Sequence, residues 1–198
     1  MNPTLLPAST PAPGPAAPPL MTADEFVRLH GDESGVELVD GHVVRLPMPG
    51  ADHGGVCSTA GFILYGYVKQ HGLGRVMTND TFVRAGANRE SVRGADVCFI
   101  SYARLPKDRP LPKGPIEPAP DLVFEVRSPT DRRGDTQIKV GEYLTAGVTV
   151  VVLLDPATEA ATVYREADEL PQRFAGDEEL TVPDVLPGFA VPVKRFFE

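Results

Sequence analysis

Apolar and polar residues follow two periods along this chain, and each period predicts elements. Val56, Ala60, Ile63, Leu64 and Tyr67 recur at helical spacing, so an amphipathic helix packs on a sheet there. It runs from an Asp52 cap to about Gln70, and Gly72 and Gly74 end it. A shorter helix opens at Thr22, whose capping-box partner is Glu25, with Met21 and Phe26 as the staple and Phe26 and Leu29 facing the core. A third spans about Gly134 to Ala146 and stops at Gly147. Strand patterns cover Val36–Asp40 and His42–Leu46 around the turn signal Asp40-Gly41. Others cover Arg75–Met77, Thr81–Ala85, Arg93–Ile100 and Asp121–Arg127. Val148–Leu154 is a near-continuous apolar run, the mark of a strand covered on both faces. Ala161–Arg165 starts a hairpin, and short strands and proline turns follow.

Strand, helix and strand over Asp121–Leu154 form a βαβ unit, so those two strands lie parallel, while the earlier segments read as antiparallel. The expected class is α/β or α+β: a mixed sheet flanked by helices, with a β-hairpin region at the C-terminal end. One domain over residues 21–198 follows a Pro/Ala-rich tail at 1–20 that reads as disordered. The Leu105–Pro120 loop is long enough to gate a groove, and equally a variable connection.

Three carboxylates interrupt the apolar strands: Glu37, Asp96 and Glu125. Acidic residues are depleted in strands, and burying one costs several kcal/mol unless it is paired, protonated or bound to a cation. Three such sites suggest one shared offsetting charge, for which a divalent metal is the obvious candidate. Glu125 shares its strand face with Arg127, and Asp135, Lys139 and Tyr143 make a polar stripe at i, i+4 and i+8 on the following helix. Ile138 and Leu144 pack elsewhere, and Tyr143 reads as a packing residue rather than a catalytic phenol. Bland pairings compete throughout. Glu125 could pair with Arg127, Glu37 with Arg45, and Lys139 with Asp135.

The net charge is −8, which counts against a broad non-specific nucleic-acid binder but not against a nuclease, whose carboxylates add negative charge. Arginines gather in the middle third, and Asp and Glu crowd the C-terminal part. Cys57 and Cys98 read as two buried thiols, with no disulfide or zinc spacing. No signal peptide or apolar span is present, so a cytoplasmic protein is expected.

Several segments resemble the Uma2 family, once called DUF820. They are Met21–Phe26, Val36-Glu37-Leu38-Val39-Asp40-Gly41, Ala95-Asp96-Val97, Pro120–Pro129, Lys139–Val148 and Leu154-Asp155-Pro156. The resemblance runs in order over about residues 21 to 165 and implies a restriction-endonuclease-like PD-(D/E)XK fold. It also implies an endonuclease dependent on Mg²⁺ or Mn²⁺ that acts on nucleic acid, DNA before RNA. By position, Glu37 becomes the helper acid, Asp96 and Glu125 the metal ligands, and His53 the histidine near the scissile phosphate. Ala95 stands where the family usually has proline. Arg127 stands where the core lysine is expected, and Lys139 fits a lysine moved to the next helix. Arg127, Arg132 and Arg133 are candidate phosphate contacts.

Two other readings remain open at this point: a non-catalytic module on the same fold that binds nucleic acid or protein, and a hydrolase of another phosphate ester. A homodimer suits the cutting of two strands.

Overall fold

The computed structural model describes residues 20–129 and 133–198, the Arg133 side chain excepted. Helix α1 (Ala23–His30) begins at the Thr22 cap, with both capping-box hydrogen bonds made to Glu25. Phe26 and Ala23 are buried beneath it, whereas Leu29 is 55% exposed, because a helix of two turns buries only one narrow stripe. Strands β1 (Val36–Val39) and β2 (His42–Arg45) form a hairpin. Its turn residues Asp40 and Gly41 have φ of 47° and 77°, the left-handed values a two-residue hairpin turn requires.

Helix α2 (Ala51–His71) starts one residue before the expected cap. Gly50 is the N-cap, and Asp52 lies in the first turn, where its charge still complements the helix dipole. Gly72 closes the helix in the left-handed conformation. The expected strands at 75–77 and 81–85 are one strand, β3 (Gly74–Ala85), broken in register by a bulge between Thr78 and Thr81. Strands β4 (Ser91–Ser101), β5 (Leu122–Val126), β6 (Val150–Asp155), β7 (Ala160–Tyr164) and β8 (Gln172–Ala175) complete the large sheet. Helix α3 (Arg133–Thr145) connects β5 to β6, which pair in parallel, as the βαβ pattern predicts. Strands β9 (Glu179–Thr181) and β10 (Ala190–Pro192) make a separate antiparallel pair.

The two sheet faces are covered differently. On one, Val56, Ala60, Leu64 and Val68 of α2 pack with Val97, Phe99, Leu122, Phe124 and Val152, joined by Leu180, Phe189 and Phe196 from the C-terminal segment. On the other, Val140 and Tyr143 of α3 pack with Cys98, Val123 and Val151. Ile138 of α3 is exposed instead of packed. No helix among the described residues is long and apolar enough to cross a membrane.

Strand β4 organises the site. β3 pairs along its whole length, so β1 and β5 must share the other edge. β1 meets it at Val92 and β5 at Val97–Phe99. Between them lies a fork at Gly94-Ala95-Asp96, where the backbone polar groups need other partners.

Candidate active site

Side chains fill that fork. The Gly94 N–H donates to Glu37 Oε1 (3.0 Å), and the Gly94 carbonyl accepts from Lys139 Nζ (2.8 Å). The Val126 N–H donates to Asp96 Oδ2 (2.6 Å). Each carboxylate therefore replaces a missing ladder bond, which is one reason acidic residues are tolerated in these strands. Gly94 also lies close against β3, since a Cβ there would lie 3.1 Å from the Asp80 Cβ.

Lys139 projects from α3 into the fork and bridges two carboxylates, Glu125 Oε2 at 2.7 Å and Glu37 Oε1 at 3.1 Å. Glu37 is fixed further by Arg93 Nη1 at 2.8 Å, and Arg93 Nε reaches Glu142 at 2.5 Å. Glu125 Oε1 accepts from the buried Tyr143 hydroxyl at 2.9 Å. Asp96 and Glu125 stand one residue beyond the last paired residues of β4 and β5, Val97 and Phe124, so the two carboxylates come together where the strands part. His53 Nε2 lies 3.5 Å from Asp96 Oδ2, and His53 Nδ1 lies 3.4 Å from Cys57 Sγ one helical turn on.

A cleft of about 660 Å³ opens on this group, and Glu37, Asp96, Glu125, Lys139, His53 and Asp80 all line it. A second cavity of about 570 Å³ adjoins it and shares His53, Asp80 and Asp96. Phe62 and Tyr65 expose aromatic rings along that second cavity. From the Pro-rich loop, Lys113 and Gly114 reach the first. Arg75 anchors the loop by donating to the carbonyls of Lys107 and Arg109, and Arg104 anchors its far end through the carbonyls of Ala119 and Pro120.

The ionisation pattern is uneven. Burial pushes the Glu125 carboxyl up to about 8, against the attraction of Lys139 and with repulsion from Asp96 added. Burial also opposes the charge on Glu37, but Lys139 and Arg93 overcome it and hold that carboxyl below its ordinary value. Burial raises Asp80, and nearby Asp96 raises it further. His53 is raised by its hydrogen bond to Asp96. Burial pushes the Cys57 thiol up, as do the neighbouring carboxylates. Lys139 keeps its proton, because Glu125 and Glu37 outweigh the cost of its burial.

Among the described residues here, Arg93 and Lys139 face Glu37, Asp96, Glu125, Glu142 and Asp80, so carboxylates are in excess. Hard oxygen donors with unbalanced negative charge fit a divalent cation such as Mg²⁺ or Mn²⁺.

The structure thus brings together Glu37, Asp96, Glu125, Lys139 and His53. Arg127 does not join them. It pairs with Asp155 at 3.1 Å, so Glu125 takes its cation from α3 and not from its own strand. Arg45 pairs with Glu33 rather than Glu37. Arg132 and the Arg133 side chain lie outside the described residues.

Sequence reasoning did not single out Asp80, Arg93 or Glu142. For Asp80 there was a signal. Asn79-Asp80, two residues that tolerate positive φ, sit in the middle of a strand pattern, and here they have φ of 67° and 54°. The bulge sets both of them against the single residue Asp96, because Thr78 pairs with Val97 and Thr81 with Ala95.

The Uma2 family, described as "Putative restriction endonuclease", matches residues 23–194. A crystal structure titled as that of "a putative nuclease belonging to DUF820" from Anabaena variabilis superposes with a TM-score of 0.78 at 23% identity. The match covers 89% of this chain and 97% of that one. This establishes the restriction-endonuclease-like fold. A search of curated proteins finds no match.

Proposed function

This chain belongs to the Uma2 family of restriction-endonuclease-like proteins, and on that premise we propose that it is a divalent-metal-dependent endonuclease that hydrolyses phosphodiester bonds of DNA. The observation that carries this reading is the Lys139 ammonium set between Glu125 and Glu37 at the strand fork, beside Asp96 and open to the cleft.

Asp96 and Glu125 would hold the cation, Mg²⁺ or Mn²⁺. When bound, it would neutralise charge on the phosphate and acidify a bound water. Lys139 would orient the attacking water and offset charge as it grows on the phosphoryl oxygens. Glu37 acts on Lys139 rather than on substrate. With Arg93 on its far side, it fixes where the ammonium sits. Tyr143 holds one Glu125 oxygen, which leaves the carboxylate a single orientation. His53 steadies Asp96 and can carry a proton at the cleft mouth. The two adjoining cavities form a trough for a strand, and Phe62 and Tyr65 offer faces on which bases can stack.

The test is cleavage of supercoiled, linear and branched DNA with Mg²⁺ or Mn²⁺, with chelator and Glu125→Ala as controls. The reading expects cutting that needs metal and falls on the order of a thousandfold in Glu125→Ala. No cutting of any substrate, together with no Mn²⁺ binding by calorimetry, would leave the non-catalytic module as the better account.

A further inference from the structure

Next to the oxygen-lined fork lies a group of a different chemical kind. His53 and Cys57 are four residues apart on α2 and face the same way, with Nδ1 and Sγ 3.4 Å apart. Asp96 stands on the other side of the imidazole, and one ligand atom from each of the three residues lies within 4.8 Å of the other two. In a tetrahedral zinc site, Zn–N of about 2.0–2.1 Å and Zn–S of about 2.3 Å put those two donors about 3.5 Å apart. The imidazole and thiol already have that spacing. All three residues line the cavity of about 570 Å³, which gives an ion a way in and leaves room for water as a fourth ligand.

We infer that His53, Cys57 and Asp96 form a second metal site, selective for a thiophilic ion of the Zn²⁺ type. The donor set separates it from the fork. Thiolate and imidazole suit Zn²⁺ and bind Mg²⁺ poorly, whereas Asp96 with Glu125 offers oxygen alone. Binding takes the Cys57 proton off to solvent as the sulfur–metal bond forms. The imidazole gives Nδ1 to the ion, and Asp96 must leave its 3.5 Å contact with Nε2 to join it. Because Asp96 belongs to both groups, an ion held by His53 and Cys57 competes for the carboxylate that the oxygen site needs. On the nuclease reading, zinc is therefore an inhibitor that acts by taking Asp96. The binding itself does not depend on that reading.

Cobalt(II) is the probe, because thiolate ligation produces a sulfur-to-metal charge-transfer absorption that needs no turnover. The full chain should bind one Co²⁺ with that band, and Zn²⁺ should bleach it while Mg²⁺ does not. Cys57→Ser should abolish the band. His53→Ala should weaken binding at least about tenfold. Cys98→Ser, which alters a thiol buried under α3, should leave the band in place, as should Glu125→Ala. Circular dichroism of each variant confirms that the helices remain. Absence of the band in the unaltered chain, or its survival in Cys57→Ser, would overturn the site. If DNA is cut, Zn²⁺ should suppress Mg²⁺-supported cleavage, and Cys57→Ser should resist that suppression. If DNA is not cut, the cobalt result stands or falls by itself.

Discussion

The two flanks of Asp96 and Glu125 are built on opposite principles. On the α3 side, Glu142, Arg93, Glu37 and Lys139 form a continuous chain of ion pairs that ends on Glu125, with separations of 2.5–3.1 Å. On the α2 side the contacts are looser, 3.5 Å from His53 to Asp96 and 3.4 Å from His53 to Cys57, and His53, Asp80 and Asp96 open on two cavities. Their ionisation differs accordingly. Glu37 is held below its ordinary value, whereas burial raises Glu125 and Asp80; His53 is raised because Asp96 favours its charge. A charge held by its neighbours gives position, and a charge short of neighbours gives affinity for something that arrives from outside. The fork needs both, and Lys139 joins them.

Breaking the closed flank should have the largest effect. Arg93→Ala leaves Glu37 and Glu142 without their shared guanidinium in a largely buried setting, at a cost of about 3–5 kcal/mol. Equilibrium urea unfolding measures this, and a loss below about 1 kcal/mol would mean the chain of pairs is slack.

The open flank should answer in affinity instead. Asp80→Asn removes one negative charge beside Asp96 and should weaken Mn²⁺ binding by roughly ten- to a hundredfold in calorimetry, with little change in unfolding. Unchanged affinity would place Asp80 outside the cation's field.

Proton linkage sharpens the contrast. Glu125 titrates near 8 in the folded chain, against 4.5 for an ordinary glutamate, so between those values the folded state binds more protons than the unfolded one. Stability of the metal-free protein should therefore fall as pH rises from about 5 to 8, by at most about 1.4 kcal/mol per unit from this group. The raised His53 and Asp80 act in the same direction, and Glu37 acts oppositely, only below its ordinary value. Unfolding in chelator across that range should show the decline, Glu125→Gln should flatten it, and Mn²⁺ should reverse it. A flat profile for the unaltered chain would contradict the burial argument.

The smallest effect is expected outside both flanks. Arg127→Ala removes a partly exposed pair with Asp155 and should cost no more than about 1 kcal/mol. It should leave any cleavage rate near its starting value. A large fall in the rate would return Arg127 to the site.

Glu37, Asp96 and Glu125 could be read from sequence because each violates the pattern of an apolar strand. Lys139 stands on the polar stripe it shares with Asp135 and Tyr143, and only the family resemblance gives it a role beyond that of a surface lysine paired with Asp135. Arg93 and Glu142 were hidden for a related reason. Each is an ordinary polar residue until β1, β4 and α3 are brought into register. Tyr143 is the packing residue its spacing suggests, and its hydroxyl also serves Glu125, a role that depends on where α3 docks. Asp80 falls between two strand patterns, 75–77 and 81–85, in what looks like a break. A bulge and a break look alike in one dimension, and pairing with β4 tells them apart.

The fork at Gly94 also makes the backbone an indicator of the site. In most of the sheet an amide proton is shielded from solvent deuterium by a neighbouring strand, and it exchanges when strands separate. The amides of Gly94 and Val126 are shielded by Glu37 and Asp96 instead. Their exchange rates will follow what those carboxylates are doing, protonating, turning or taking up an ion, while the rest of β4 and β5 stays protected. Two isotopic signals can thus track occupancy of the site in the absence of any substrate.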